Sequence, residues 1–283
     1  MDVAYINAAS SYPSSSLKSL PTESLCLLFV VTEKDFKTLP IAITYARKSI
    51  LSINQIPVTL IVPENSMLSV RVIMSEYGVT EVTIIGENSI ADEHSRTLLK
   101  DFFAARYGWS LQQLLKVIYV SNSKFENVLV CDADTLLISE RPWRNLENRH
   151  ILFPSYEKNP SYYRFLDAAF GFGGSPEFSF VSHHMLFSRD ILNEAFEKFG
   201  ITNFLDLTNL VVKYSEKTDN SPFSIDYEFY GQYVYNFHFE SLTLLKWSNL
   251  PLPARTWDLY LRNKAFRLIT QKLFNSISFH SWS

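Results

Sequence analysis

The chain has 283 residues, enough for one large or two small domains, and 47% of them are hydrophobic while 19% are charged. This balance is typical of a folded globular protein and excludes an intrinsically disordered chain. The 26 Lys and Arg residues against 29 Asp and Glu give a net charge of −3, so no overall basic field exists to attract nucleic acid. Nucleic acid is therefore not expected as a partner.

The N-terminal segment and the two cysteines predict a cytoplasmic protein. Residues 8–24 are rich in Ser and Pro, and Asp2 stands where a signal peptide would carry basic residues, so we expect neither a signal peptide nor a membrane span. Cys26 and Cys131 lie in the apolar runs LCLLFVV and NVLVC, which indicate buried strands rather than a disulfide framework. A reducing compartment fits this usage best.

Strands and helices alternate through the first half of the chain. Residues 1–24 show no periodicity. Short apolar runs then predict strands at 25–31, 58–62, 82–85 and 128–131. Apolar residues at helical spacing predict helices at 39–50, 66–77 and 109–120. This alternation predicts an α/β fold with an open, mostly parallel sheet and helices on both faces.

After residue 140 the alternation becomes irregular. Short apolar runs occur at 151–153 and 178–187, and residues 170–174 form the glycine-rich stretch FGFGG. That stretch lacks the spacing of a phosphate-binding loop and indicates a flexible substrate loop. No internal repeat or long linker is present, so we predict an irregular segment 1–24 followed by one α/β domain over 25–283 with an elaborated C-terminal half.

The run Asn127 to Ile138 carries the strongest chemical signal. If the strand continues through Asp134, alternation places Asp132 and Asp134 on one face at its carboxyl end. Ligands bind at that edge of open α/β sheets, and paired carboxylates there suit Mg²⁺ or Mn²⁺ shared with substrate phosphates. The alternative is a turn with two solvated aspartates.

The helix before this strand has one apolar and one polar side. On the polar side lie Trp109, Gln112, Gln113 and Lys116. We expect the apolar side to pack and the polar side to be available to a ligand. Lys116 can reach a phosphate there, although a solvated lysine explains its position equally well.

Three motifs together resemble metal-dependent glycosyltransferases of the GT-A fold. They are the helix from Trp109 to Lys116, the strand ending in Asp132-Ala133-Asp134, and the C-terminal Phe279-His280-Ser281-Trp282. The likeness in element order covers residues 25–283 and is nearest to bacterial families linked to capsule or lipopolysaccharide synthesis. It implies a nucleotide-binding half over 25–138 and an acceptor and donor-sugar half over 139–283.

The resemblance also implies ligands and residue roles. It implies Mn²⁺, or Mg²⁺, and a nucleotide-sugar donor, with UDP as the expected nucleotide. Asp134 would be a direct metal ligand, Asp132 would contact the metal or the ribose, and His280 would be a further ligand. Residues Thr32 to Asp35 would hold the base and ribose, although they can also cap the following helix. Trp109, Gln113 and Lys116 would line the donor site.

Two adjacent histidines follow in a segment, residues 181–185, that we predict to be a strand. Alternation then points His183 and His184 to opposite sides, so that one packs and the other meets the donor sugar. A structural role for a histidine in a strand is the alternative.

A helix start at Ser221 and Pro222 introduces the catalytic candidates Glu228 and Asp226. Gly231 stands three residues after Glu228 and indicates a close approach beside it, so Glu228 is the first candidate for a general base in an inverting enzyme. Asp226 lies on another face and can complement the helix N-terminus. The alternative for Glu228 is a solvated side chain.

The C-terminal part carries an amphipathic stretch, residues 259–274, and an apolar chain end. The stretch can lie on an anionic membrane surface near a lipid-linked acceptor, peripheral to the inner membrane, or it can pack on its own domain with solvated charges. Ile277, Phe279 and Trp282 alternate with polar residues, which predicts that the chain end docks and holds His280 in place.

We therefore expect a glycosyltransferase acting on a glycan or lipid-linked acceptor in bacterial surface polysaccharide synthesis. Two other functions stay open at this point. A sugar-1-phosphate nucleotidyltransferase shares a similar core, but residues 25–37 contain no glycine where that class is glycine-rich. A non-catalytic carbohydrate-binding protein would explain the aromatic residues but not the aspartate pair. The sequence leaves the oligomeric state open.

Overall fold

The computed structural model describes residues 24–50, 56–140, 143, 150–172, 178–216 and 223–280. The strands are β1 (Leu25–Val30), β2 (Val58–Val62), β3 (Val82–Gly86), β4 (Asn127–Cys131), β5 (Thr135–Leu137), β6 (His150–Leu152), β7 (His184–Ser188), β8 (Leu242–Leu244), β9 (Asn249–Pro253) and β10 (Ser276–His280). The helices are α1 (Leu39–Ser49), α2 (Met67–Glu76), α3 (Glu93–Phe103), α4 (Tyr107–Ser121), α5 (Pro160–Phe170), α6 (Arg189–Lys198), α7 (Phe204–Tyr214), α8 (Tyr227–Phe237), α9 (Trp257–Arg262) and α10 (Lys264–Leu273).

A five-stranded sheet with the strand order β3, β2, β1, β4, β7 forms the centre of the molecule. The first four strands of that order are parallel, and β7 runs antiparallel to β4, with His184 opposite Cys131. The predicted α/β class and mostly parallel sheet are confirmed. The antiparallel pairing matters for the site because it brings the residue before β7 to the carboxyl end of β4.

Helices cover both faces of this sheet, as predicted. Leu28 and Val30 of β1 enter a core with Leu114 of α4, whereas Leu27 and Phe29 enter a second core with α1. Both faces are apolar because side chains alternate along a strand and each face needs a partner layer. The predicted strands in the first half therefore correspond to β1 to β4.

The chain end docks in a second, three-stranded sheet of order β5, β10, β9. All five residues of β10 are buried, and Ile277 and Phe279 belong to the core beneath the central sheet. The docking predicted for this segment is confirmed for residues 276–280, while Trp282 lies outside the described residues. A third, two-stranded sheet pairs β6 with β8.

Several predicted boundaries are wrong. Helix α3 lies between residues 85 and 109, where no element is predicted above; its N-cap Asp92 accepts a hydrogen bond from the Ser95 amide. Helix α8 begins at Tyr227 with Asp226 as N-cap, not at Ser221, which together with Pro222 lies outside the described residues. The amphipathic stretch 259–274 is not continuous, because Asn263 ends α9 and caps α10 through the Phe266 amide.

The structure describes only part of the glycine-rich stretch 170–174 at the end of α5. Gly171 ends α5 at a φ of +72°, a left-handed conformation that favours glycine. Residues 173–174 of the predicted substrate loop lie outside the described residues. Among the described helices, none is long and apolar enough to cross a lipid bilayer. The division of 25–283 into two functional halves stays a prediction.

Candidate active site

Asp132 and Asp134 lie in a turn between β4 and β5, not on an extended β4. The Thr135 amide donates to the Asp132 carbonyl at 3.1 Å, and the Phe279 amide of β10 donates to the Asp134 carbonyl at 2.8 Å. The alternation argument for this pair is therefore wrong, because the strand ends at Cys131. The alternative made from the sequence is right that the pair lies in a turn, but Asp132 is not a solvated side chain, since it is 23% exposed and contacts Lys116; the Asp134 side chain is 37% exposed.

Asp132 is held as an anion by three neighbours. Lys116 Nζ lies 2.9 Å from Oδ1, the Tyr227 hydroxyl donates to the same oxygen at 2.9 Å, and His183 Nδ1 lies 3.3 Å from Oδ2. Burial by itself would raise the pKa of Asp132, but the Lys116 charge and the contact with His183 outweigh it and hold the pKa well below its ordinary value. Asp132 is thus ionised at any physiological pH.

Lys116 is a buried cation between two carboxylates. Its ammonium group lies 3.0 Å from Asp226 Oδ2 in addition to the contact with Asp132, and the side chain is 4% exposed. Burial would lower the pKa of Lys116, but Asp132 and Asp226 raise it above its ordinary value. Both interpretations of Lys116 made from the sequence are therefore wrong: it is neither solvated nor available to a phosphate in this arrangement.

The other polar residues of α4 are also engaged within the protein. Gln113 is buried, and its Oε1 accepts a hydrogen bond from the Ile225 amide at 3.0 Å. The Trp109 ring lies 5.2 Å from the Phe223 ring. The polar side of α4 is therefore not an open ligand surface; it holds the segment from Phe223 to Asp226 that precedes α8.

His183 stands at the amino end of β7 in a strained conformation. Its φ is +62°, which costs a non-glycine residue about 1 kcal/mol or more, and its carbonyl accepts a hydrogen bond from the Asp132 amide at 3.0 Å. Because β7 begins only at His184, the predicted strand over 181–185 is wrong in its first half. The bend turns the imidazole toward Asp132, whose contact and charge raise the pKa of His183 against the lowering effect of burial.

His184 lies away from this cluster, as the opposite-side prediction requires. Its ring is 4.3 Å from the Trp247 ring and 5.5 Å from those of Trp143 and Phe153. Burial lowers the pKa of His184 to about 3, so the imidazole is neutral. The structure thus joins His183, and not His184, to the aspartate turn.

Asp134 and His280 form the more open side of the cluster. His280 Nδ1 lies 3.9 Å from Asp134 Oδ2, and the His280 ring lies 5.2 Å from the His183 ring. Burial and then the charge of Asp132 raise the pKa of Asp134, while burial and then the His183 charge lower that of His280. An extra positive charge here would relieve the repulsion between the two aspartates.

Thr32 and Asp35 cap the short 3₁₀ turn Glu33–Asp35 and not α1, whose N-cap is Thr38, so the capping alternative holds only for that turn. The Thr32 amide donates to Asp35 Oδ2 at 3.0 Å, and its hydroxyl donates to the same oxygen at 3.3 Å. Thr32 follows the carboxyl end of β1, next to β4 in the sheet. Burial raises the pKa of Asp35, and the Asp132 charge adds to this effect, so the loop faces the aspartate turn.

Glu228 is fully buried and makes its hydrogen bonds to the segment before β7 and within α8. Its Oε2 accepts hydrogen bonds from the Ser179 hydroxyl at 2.6 Å and the Phe180 amide at 3.0 Å, and its Oε1 accepts from Gln232 Nε2 at 2.7 Å. The solvated alternative is wrong. A Cβ on Gly231 would lie 2.3 Å from Phe180 Cβ, so the close approach indicated by this glycine is made by the chain itself.

The donor chemistry of the cluster fits a divalent cation held jointly with a substrate. Within the described part of the chain, no group of three or more His, Cys, Asp and Glu side chains is arranged to hold a metal ion. Asp134 and His280 supply one oxygen and one nitrogen donor, and Asp132 keeps lone-pair capacity at Oδ2 beside His183. Mg²⁺ is usually held by a small number of protein ligands together with substrate phosphates, and an imidazole ligand favours Mn²⁺.

Sequence reasoning missed Tyr227 as a site residue and missed the pairing of Lys116 with Asp226. Tyr227 is buried, with its ring centroid 4.4 Å from the Lys116 ammonium group. The one local signal was the run LLKVIYV, in which apolar residues flank Lys116 on both sides and indicate a buried lysine. The contacts join segments too distant in sequence for any periodicity to reveal.

No family model matches the sequence, and no curated protein matches it. Among solved structures, the galactosyltransferase LgtC in complex with donor and acceptor sugar analogues has a TM-score of 0.48 and 11% identity, covering 90% of this chain and 86% of that one. Mouse xyloside xylosyltransferase 1 has a TM-score of 0.46 and 12% identity, covering 91% and 98%. The bifunctional glycosyltransferase WbbM has a TM-score of 0.47 and 12% identity, covering 94% and 47%.

Proposed function

We propose that the protein is a glycosyltransferase that moves a sugar from a nucleotide-sugar donor to a hydroxyl of a glycan or lipid-linked acceptor in bacterial surface polysaccharide synthesis. The observation that supports this most is the turn at the carboxyl end of β4, where Asp132 is held ionised while Asp134 faces outward beside His280. A pair of aspartates at this edge of an α/β sheet suits a nucleoside diphosphate that is bound through a cation.

Asp134 and His280 are the residues that would hold the metal, with Asp132 contributing through Oδ2. A bound Mn²⁺ or Mg²⁺ would neutralise charge on the departing nucleoside diphosphate. We favour Mn²⁺ because the imidazole of His280 is a softer donor than oxygen. The chain's own part is to keep Asp132 ionised and both carboxylates placed before the donor arrives.

Lys116 and Tyr227 perform that placement. They occupy Oδ1 of Asp132, at 2.9 Å each, which leaves Oδ2 turned to the side of His183. Residues Thr32 to Asp35 would contact the base and ribose from the end of β1. Trp109 and Gln113 act indirectly. They contact Phe223 and Ile225 and so hold the segment that carries Asp226.

We assign Glu228 a positioning role in place of the general-base role. A general base must come within about 3 Å of the acceptor hydroxyl, directly or through one water. Glu228 is fully buried, and its two oxygens already accept three hydrogen bonds. The bonds from Ser179 and Phe180 tie α8 to the loop 178–183 that carries His183. Glu228 therefore fixes the position of this loop relative to α8.

Titration calorimetry of UDP in the presence of Mn²⁺ tests the proposal. We expect binding by the intact protein and a loss of at least tenfold in affinity with Asp134→Asn or His280→Ala. Asp258→Asn is the matched control, because Asp258 is an exposed aspartate that pairs only with Lys37 on the surface. GDP and CDP in parallel identify the nucleotide.

Turnover gives the second readout. Mass spectrometry across a panel of nucleotide sugars should show slow donor hydrolysis for one of them, and Asp132→Asn should abolish it. Equal affinity of all variants for the nucleotide, or no Mn²⁺-dependent binding of any nucleoside diphosphate, would show that this cluster is not a nucleotide-sugar site.

A further inference from the structure

Helices α9 and α10 present aliphatic side chains to solvent. Four are more than half exposed: Leu259 (58%), Leu268 (51%), Ile269 (57%) and Leu273 (64%). Among the described residues, the other strongly exposed leucine and valine side chains are Leu68 and Val72, both on α2. Single exposed aliphatic residues are ordinary, whereas a cluster of them on one short segment marks a contact surface.

Helix α9 is anchored by the buried Trp257 and Tyr260, whereas α10 contacts the domain along a narrow strip. Thr270 is the one buried residue of α10, and Phe266 packs at its edge, with its ring 5.7 Å from that of Tyr260 in α9. The side of α10 that carries Leu268 and Ile269 therefore faces away from the domain core. The sequence also allowed this stretch to pack on its own domain. Packing of that kind explains the contact at Thr270 and Phe266 but not the exposed Leu268 and Ile269.

The charged residues of α10 are all positive. Helix α10 contains Lys264, Arg267 and Lys272 and no acidic residue. Arg267 is engaged, since its guanidinium donates to the carbonyls of Tyr260 and Leu261. Lys264 and Lys272 are exposed and lie four residues before and after Leu268, so both reach the same side of the helix.

The nearest acidic residue on the adjoining helix is already neutralised. Asp258 of α9 pairs with Lys37 at 2.8 Å, which leaves Lys264 and Lys272 to set the charge of the α10 surface. The exposed face thus combines aliphatic side chains with uncompensated lysines. An anionic surface complements this charge.

We propose that the face formed by Leu259, Leu268, Ile269 and Leu273 with Lys264 and Lys272 docks on an anionic lipid bilayer. Lysines stand between the leucines along α10, and lysine can extend its ammonium group to lipid headgroups while its methylenes and the leucines enter the interface. A protein partner fits less well, because lysine is depleted from the buried centres of protein interfaces. This surface goes beyond the proposed function and does not depend on it.

The position of the face gives the docking a consequence. Leu273 ends α10, and β10 carries the chain from there to His280 beside Asp134. Seven residues of extended chain span at most about 25 Å, so the aspartate turn lies within that distance of the docked helix. A substrate embedded in the same bilayer would have its headgroup near the site.

Vesicle flotation with the full chain tests this inference. The probes are vesicles of phosphatidylcholine alone and vesicles with about a third phosphatidylglycerol, at low and high salt. We expect binding to the anionic vesicles that weakens with salt, since surface attraction is screened over about 10 Å at 0.1 M. We expect little binding to phosphatidylcholine alone.

Two variants and two matched controls locate the surface. Leu268→Ser with Ile269→Ser should weaken binding to anionic vesicles at least tenfold, and Lys264→Gln with Lys272→Gln about thirty-fold, at about 1 kcal/mol per lysine. Leu68→Ser with Val72→Ser removes exposed aliphatic residues from α2, and Lys100→Gln with Lys213→Gln removes two exposed lysines from other helices. Both controls should bind as the wild type does.

Three outcomes would overturn the inference. One is the absence of binding to phosphatidylglycerol vesicles by the wild-type chain, and another is equal loss in the controls and the α10 variants. The third is a concentration-dependent dimer in sedimentation without vesicles that Leu268→Ser with Ile269→Ser abolishes, which would assign the face to a second copy. Nucleotide binding measured on the same variants separates this surface from the proposed active site.

Discussion

The ammonium group of Lys116 lies 3.0 Å from Oδ2 of Asp226, although 110 residues separate them in the sequence. The same group contacts Asp132, so one buried cation joins α4, the turn after β4 and the N-cap of α8. The Ser224 hydroxyl also donates to Asp226, at 3.2 Å to Oδ1. This arrangement makes the ionised state of Asp132 a property of the fold.

Replacing Lys116 by Met should destabilise the protein strongly. The change leaves Asp132 and Asp226 without their shared cation, and removing one partner of a buried ion pair costs about 3–5 kcal/mol. Urea unfolding measures the loss. Adding Asp226→Asn to Lys116→Met should restore part of it, because one of the two uncompensated buried charges disappears.

The exposed pair of Lys37 and Asp258 provides the control for Lys116. Their side chains are 64% and 55% exposed, so Lys37→Met should cost less than about 1 kcal/mol. If Lys116→Met were as mild as Lys37→Met, the buried cluster would not hold charged groups as described.

Glu228→Gln separates a positioning residue from a general base. An amide nitrogen in place of one oxygen would meet a donor from Ser179, Phe180 or Gln232, so we expect a loss of about 1–3 kcal/mol in stability. Donor hydrolysis per folded molecule should fall less than tenfold. A fall of about 10²–10⁴ with unchanged stability would instead restore Glu228 as a base.

Gly231→Ala tests the contact between α8 and the loop that carries His183. The new Cβ would lie 2.3 Å from Phe180 Cβ, so the loop or the helix must shift, and we expect a loss of stability of about 1–3 kcal/mol. Gly108→Ala in α4 is the matched control, because nothing lies within 4 Å of its added Cβ. The control should be neutral or stabilising by up to about 1 kcal/mol in urea unfolding.

His184 should make the stability depend on pH. Its pKa is about 3 in the folded protein and about 6.5 in the unfolded chain, so between these values only the unfolded state takes up the proton. The free energy of unfolding therefore falls as the pH drops below about 6.5, by up to about 1.4 kcal/mol per pH unit.

His184→Phe keeps an aromatic ring beside Trp247 and removes this titration. Urea unfolding of both proteins between pH 5 and pH 7 gives the difference in slope, to which groups shared by the two proteins contribute equally. Parallel curves for the two proteins would mean that His184 does not stay neutral in the fold.

Local sequence patterns determined the sheet and the position of the aspartate turn. The apolar runs that became β1, β2 and β4 are buried on both sides, and such strands need no alternation to be found. Asp132 and Asp134 were found because they follow β4 directly. Helix α3 was missed because its sequence EHSRTLLKDFF is mostly polar and its buried residues are few.

Only the tertiary structure decided what the site residues do. Lys116 is buried because Asp132 and Asp226 come from segments 16 and 110 residues away, and no local period encodes such contacts. His183 faces Asp132 because β7 runs antiparallel to β4 and begins after a left-handed residue. Glu228 is buried because Gly231 lets Phe180 approach α8. The charge state and direction of a side chain depend on its neighbours in space, and these are set when the chain folds.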